Sequence, residues 1–170
     1  MSYARCLVLL AFLGCETAQA PAPDASLASE EAEPMIDHRS YQLGVIGAFA
    51  EVVGAGVKRL ALSSPMTPEV MDALIDDAET IIARNDAKAY RETDFLVTDL
   101  FPAEITEGKH VILIYNDPVL DEYMALKKRK QGLVDEGRYE GEARADIARE
   151  MGRLLSYPEE RVDRMLSESK

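Results

Sequence analysis

Tryptophan is absent, and aromatic residues make up only 6% of the 170-residue chain. So few rings cannot build the stacking platform on which nucleobases or sugars are held. Cysteine is nearly as scarce. Cys6 and Cys15 are the two in the chain, and both precede the folding body. A disulfide framework and a thiolate zinc site are therefore excluded for that body. The two histidines, His38 and His110, lack the short spacing of a metal motif, and no metal site is expected. A Gly-rich phosphate loop, a nucleophile elbow and a paired metal motif are all missing, so no cofactor is expected and the catalytic residues of an enzyme stay unknown. Excess positive charge is missing too. The net charge is −12; residues 1–33 carry one Arg and five acids, which leaves −8 on residues 34–170. A body this acidic has no general attraction for nucleic acid or an anionic membrane surface, and no nucleic-acid partner is expected.

What is present at the N-terminus reads as a targeting segment. Met1 to Arg5 carries one positive charge, and Leu7 to Leu13 is an apolar stretch of seven residues. That is far below the length needed to span a bilayer and suits a secretion signal. Two processing points stand in the sequence. Ala18-Gln19-Ala20 fits the small-x-small rule of ordinary signal cleavage, with Pro21 next to it. Phe12-Leu13-Gly14-Cys15 resembles a bacterial lipobox, with Phe12 where Leu is usual. The resemblance covers these few residues. It implies that residues 1–14 are removed, that Cys15 is diacylated, and that the chain is anchored in the bacterial cell envelope by a lipid. The other processing point leads to a secreted or soluble periplasmic protein. Residues 15–33 are dominated by Ala, Pro, Ser, Asp and Glu. They bury too little apolar surface to offset the entropy of ordering, and read as a disordered tether with a reach on the order of 20–25 Å.

Residues 34–170 read as one domain. The clearest signal in them is Val111 to Tyr115, five consecutive apolar or aromatic residues ending in Asn116-Asp117-Pro118. An unbroken run implies a strand buried on both faces, the habit of helix-covered parallel sheets. Asp117 then suits an N-cap and Pro118 the first helical position. Upstream, Asp37 can cap a helix with Tyr41, Val45, Ala48, Phe49, Val52 and Val53 on its buried face. Gly44 and Gly47 in that helix suggest close approach of another backbone, and Gly54 and Gly56 end it. Val57 to Ser63 reads as a strand. Thr67 and Pro68 open a helix to about Arg84, with Val70, Met71, Leu74, Ala78, Ile81 and Ile82 inward. Ala87 to Arg91 reads as a second strand, so these three segments form a βαβ unit. Residues 94–101 fit a strand or a one-turn helix. Helices follow to the C-terminus, the last introduced by a Ser156-x-x-Glu159 capping box.

The expected fold is therefore α/β: a small sheet of three or four mostly parallel strands under helices, with a helical C-terminal third. The alternative is α+β, should residues 94–101 pair antiparallel with the central strand. In a parallel sheet the carboxyl ends of the strands gather at one edge, where ligands bind. That edge would carry Ser63, Ser64, Thr67, Arg91, Tyr115, Asn116 and Asp117, with the Ser63–Thr67 turn as a seat for a small anionic ligand at a helix N-terminus. The functional expectation is a membrane-tethered, non-enzymatic binding or interaction protein. The alternative is a small hydrolase or lyase using Asp94, Asp99 or Asp117 with Ser63 or Tyr115. The run Lys127-Lys128-Arg129-Lys130 reads as a solvated helix surface, or else as a contact for an acidic partner or lipid headgroups. Arg144, Arg149, Arg153, Arg161 and Arg164 could suggest an anion cluster, but acids lie within helical reach, Glu140 of Arg144, Asp146 of Arg149, Glu150 of Arg153 and Glu160 of Arg164, and the arginines read as ordinary surface pairs.

Overall fold

In the computed structural model the described residues are 37–168, and they lie within one compact unit, Ile36–Lys170. The expected signal segment, lipobox cysteine and tether lie outside them. The elements in order are α1 (His38–Gly54), β1 (Leu60–Leu62), α2 (Pro68–Ala83), β2 (Lys88–Glu92), a short 3-10 turn at Ala103–Ile105, β3 (Val111–Tyr115), α3 (Val119–Asp135), α4 (Gly141–Leu154) and α5 (Glu159–Glu168). Asp37 caps α1 by accepting from the Arg39 N–H at 3.1 Å, and Thr67 caps α2 by accepting from the Val70 N–H at 3.4 Å. Both satisfy a helix-end donor that would otherwise face solvent alone.

The sheet corrects the expected fold class. Its strand order is β1-β3-β2, and β3 runs antiparallel to both neighbours. β1 and β2 are parallel to each other, as a β1-α2-β2 unit requires, but the central strand is inserted between them in the opposite sense. The class is α+β. The expected route to that class also fails, because residues 94–101 form no strand. The physical reason lies in the connection. Glu92 pairs with Val111, so the chain leaves β2 and re-enters β3 at the same end of the sheet, as in a very wide hairpin. The unbroken run in β3 reports two covered faces and nothing about direction. Ile112 and Ile114 pack with α1 and α2, through Ile46, Ala50, Met71, Leu74 and Ile82. Val111, Leu113 and Tyr115 pack with the C-terminal helices, through Tyr123, Leu126, Ile147 and Met151. All five strand residues are buried. Each fully buried aliphatic side chain of this kind contributes roughly 1.5–3 kcal/mol.

A buried polar cluster holds the long β2–β3 connection against α3. Glu92, 2% exposed, accepts from the Tyr123 hydroxyl at 2.9 Å, from the Asp94 N–H at 2.8 Å and from Lys127 Nζ at 3.2 Å. Tyr123 in turn accepts from the Leu96 N–H at 3.0 Å. A carboxylate taken this far out of water persists only when paired and hydrogen-bonded, and here it is both. Lys130 donates to the Val97 carbonyl at 2.8 Å, and Arg129 pairs with Glu150 at 2.7 Å. The basic run on α3 is thus mostly engaged with this chain's own loop and its neighbouring helix.

Candidate functional site

The strand reversal divides the seven residues expected at one edge. Tyr115 lies opposite Leu60 and Lys88, the first residues of β1 and β2. Ser63, Ser64, Thr67 and Arg91 therefore sit at one end of the sheet. Tyr115, Asn116 and Asp117 sit at the other, ~14 Å away along the strand.

Each group is largely occupied. Ser63 is buried; its hydroxyl donates to the Ser64 carbonyl at 3.0 Å and accepts from the Ile112 N–H at 2.9 Å. Arg91 donates from Nε to His110 Nδ1 at 3.0 Å and pairs with Asp72 at 2.6 Å. Asn116 donates to the Val53 carbonyl at 3.0 Å, and Asp117 pairs with Lys88. Asp117 is not a helix cap; Pro118 holds that position with no side-chain bond. Burial pushes the Tyr115 phenol above its usual range. At the first turn of α2, where an anion was expected, Glu69 supplies one from the chain itself. Its own N–H, then the Thr67 hydroxyl, hold that carboxyl below the usual range.

The carboxylates of the enzyme alternative do not converge. Asp99 takes both oxygens to Arg144 Nε at 2.7 Å, Asp117 faces Lys88 at the far end of the sheet, and Asp94 pairs with Lys127 at 3.1 Å. Among the described residues no group of three His, Cys, Asp or Glu is placed to hold a metal, and no helix is long and apolar enough to cross a membrane.

Concave surfaces remain. A broad cleft of about 690 Å³ lies between residues 97–104 and the Lys130–Tyr139–Arg144 group. Its cations are spent on Asp99 and the Val97 carbonyl. A pocket of about 240 Å³ between α1 and α2 contains Gln42, Met66 and Leu74; the Gln42 Oε1 is buried there without a hydrogen-bond partner. Arg39 at its rim is held by Asp77.

The third is a pocket of about 250 Å³ at the carboxyl end of β1. Leu62, Ser63 and Pro65 form one wall, Phe49 of α1 another, and Phe95, Phe101, Ile105 and Thr106 of the long connection a third. Lys58, Leu155 and Tyr157 close it. The chain has four Phe, and the three beyond Phe12 all line this one cavity. Phe95 and Phe101 meet edge to face with centroids 6.4 Å apart, a favourable ring geometry. Lys58 Nζ donates to the Leu155 carbonyl at 2.7 Å and lies 5.2 Å from the Tyr157 ring centre. Arg161 covers the same ring at 4.5 Å. Partial burial, then repulsion from Arg161, pull the Lys58 amine below its usual range.

Of the pocket, the sequence pointed only to Ser63. Lys58, Phe95 and Tyr157 come from distant segments, so no local spacing links them. The usable signal was scarcity: in a chain poor in rings, the few Phe residues mark where a cavity is lined. No protein-family model, curated protein or solved structure matches this chain.

Proposed function

We propose that this chain is a membrane-tethered, non-enzymatic binding protein of the bacterial cell envelope, with its ligand site in the pocket at the carboxyl end of β1. The observation that carries the reading is the convergence of Phe49, Phe95 and Phe101 on one apolar cavity of about 250 Å³. Apolar cavities with a few polar groups at the mouth are the usual form of small-molecule sites. Ser63 stays part of the site as a wall and as an anchor of β1, not as a nucleophile, since its hydroxyl is already committed on both sides. The tethering half of the reading is supported by the Leu13-Gly14-Cys15 sequence and the ring-poor, acidic segment after it.

Thermal unfolding of the full chain carrying Cys15→Ser, against a panel of small apolar and amphiphilic molecules, tests the binding half. A ligand at about 100 times its dissociation constant adds about 2.7 kcal/mol, a shift of several degrees for a domain of this size. Thr106→Trp, which fills the pocket from a half-buried position, should abolish the shift while leaving the unliganded melting temperature within a few degrees. A panel without any shift, or a shift indifferent to Thr106→Trp, overturns this assignment of the site.

A further inference from the structure

The pocket's rim narrows the class of ligand, and the inference rests on the binding reading above. We propose that the pocket takes an apolar monocarboxylate, its acyl tail among Phe49, Phe95 and Phe101 and its carboxylate at Lys58 and Arg161.

The chain has 31 acids against 19 Lys and Arg, and most cations in the fold have found a carboxylate, as Arg39, Arg59, Lys88, Arg91, Arg144 and Arg149 do. Lys58 and Arg161 are held differently. Among the described residues neither has a carboxylate within ion-pair distance; each lies over the ring of one tyrosine, Tyr157, at 5.2 and 4.5 Å from its centre, and they repel each other. Two like charges over one ring, with Lys58 and Tyr157 themselves lining the apolar cavity, favour an anion at its rim. Lys58 spends one of its three N–H donors on the Leu155 carbonyl and keeps two for a ligand. Arg161 offers the planar fork that matches a carboxylate. The size of the cavity bounds the tail. At about 250 Å³ it lies below the ~300–1,000 Å³ of drug-sized sites, which suits one short acyl chain and excludes a two-chain lipid.

Calorimetric titration of the full chain carrying Cys15→Ser, with octanoate, 1-octanol and octyl phosphate, tests the proposal. Octanoate should bind about tenfold or more tighter than 1-octanol, the scale of a hydrogen bond to a charged group. Arg161→Gln, at an exposed position, and Lys58→Met should each weaken octanoate several-fold and leave 1-octanol unchanged. Arg161→Gln keeps the test valid if loss of the Lys58–Leu155 bond disturbs folding. Equal binding of octanoate and 1-octanol, indifferent to both substitutions, overturns the carboxylate assignment and leaves the pocket as an apolar site. Octyl phosphate binding about tenfold tighter than octanoate overturns the choice of head group. Binding by none of the three overturns the pocket reading together with this one.

Discussion

Tyr123 shows how much one hydroxyl can carry. It donates to Glu92, accepts from the Leu96 N–H, and sits fully buried between the sheet and the C-terminal helices. Burial foremost pushes its phenol far above the usual range; the Leu96 N–H pulls it back in part, and the Glu92 carboxylate pushes it up again. Tyr123→Phe keeps the ring and leaves a buried N–H and a carboxylate oxygen each short of a partner. The expected loss is about 1–3 kcal/mol, read by urea unfolding at neutral pH. The same group sets the alkaline limit. Unfolded, the phenol ionises near pH 10, while the folded chain keeps the proton well beyond that. Above about pH 10 the native state therefore binds more protons than the unfolded one, and stability falls as pH rises, by up to about 1.4 kcal/mol per pH unit for one tyrosine. Tyr115 and Tyr139, both raised by burial, act in the same direction. Lys58 and Lys130, both lowered by burial, act in the opposite one just below the ordinary lysine range. The comparison of wild type with Tyr123→Phe isolates the one group: the variant's stability should fall less steeply between about pH 10 and pH 11. Parallel slopes would show that Tyr123 ionises in the folded state as it does unfolded.

Among the elements, α1 separates what the sequence could show from what only packing could. A side chain built on Gly54 would put its Cβ 1.8 Å from the Asn85 carbonyl oxygen, whereas one on Gly44 meets nothing within 4 Å. Gly54→Ala forces backbone against backbone, where no rotamer can yield, and should cost at least about 2 kcal/mol. Gly44→Ala should stabilise by about 0.5–1 kcal/mol, since it removes only the entropy cost of glycine in a helix. Chemical denaturation of the two variants side by side checks both; a destabilising Gly44→Ala would contradict the open space there. Helix ends at Asp37 and Thr67 and the extent of β3 were legible because they depend on local bonds and on one unbroken run. The buried side of α1 was legible only in part: Val53 is fully buried and Phe49 packs against the core as expected, but the rest of the face is set differently. Tyr41 is 58% exposed while Ile46 and Ala50 are fully buried, because α1 is apolar on several sides and its sequence does not choose among them. A Cβ built on Gly47 would lie 3.4 Å from the Ile81 side chain of α2, but the backbone contact belongs to Gly54. The capping box was misread for a similar reason. Ser156 turns away from α5, and its hydroxyl accepts from the Arg59 N–H at 2.9 Å. Of the expected helical pairs, Asp146–Arg149 and Glu150–Arg153 form, while Arg144 reaches instead to Asp99, a partner no spacing on one helix could indicate.

At the scale of the molecule, strand direction decided where a site could lie. One reversed strand sent Asn116 and Asp117 to the opposite end of the sheet from Ser63 and Thr67, and the expected common edge dissolved with it. What replaced it is a pocket assembled from α1, the end of β1, the long connection and the α4–α5 turn. A site of that kind depends on the whole fold being in place. The proposed tethering is independent of it, since lipidation of Cys15 would depend on the sequence context alone. If Cys15 carries two acyl chains, the protein should partition with membranes and stay there through high salt, because the anchor is apolar and the body is acidic. Cys15→Ser should then release it into the soluble envelope fraction with its folded stability unchanged. Metabolic labelling with an alkyne fatty acid reads the modification directly: label in the wild type that is lost in Cys15→Ser supports the anchor. An unlabelled wild-type chain whose mature form begins at Pro21 would instead assign processing to Ala18-Gln19-Ala20. The domain would then stand free in solution, and a ligand for the proposed pocket would have to reach it by diffusion from bulk rather than from the membrane beside it.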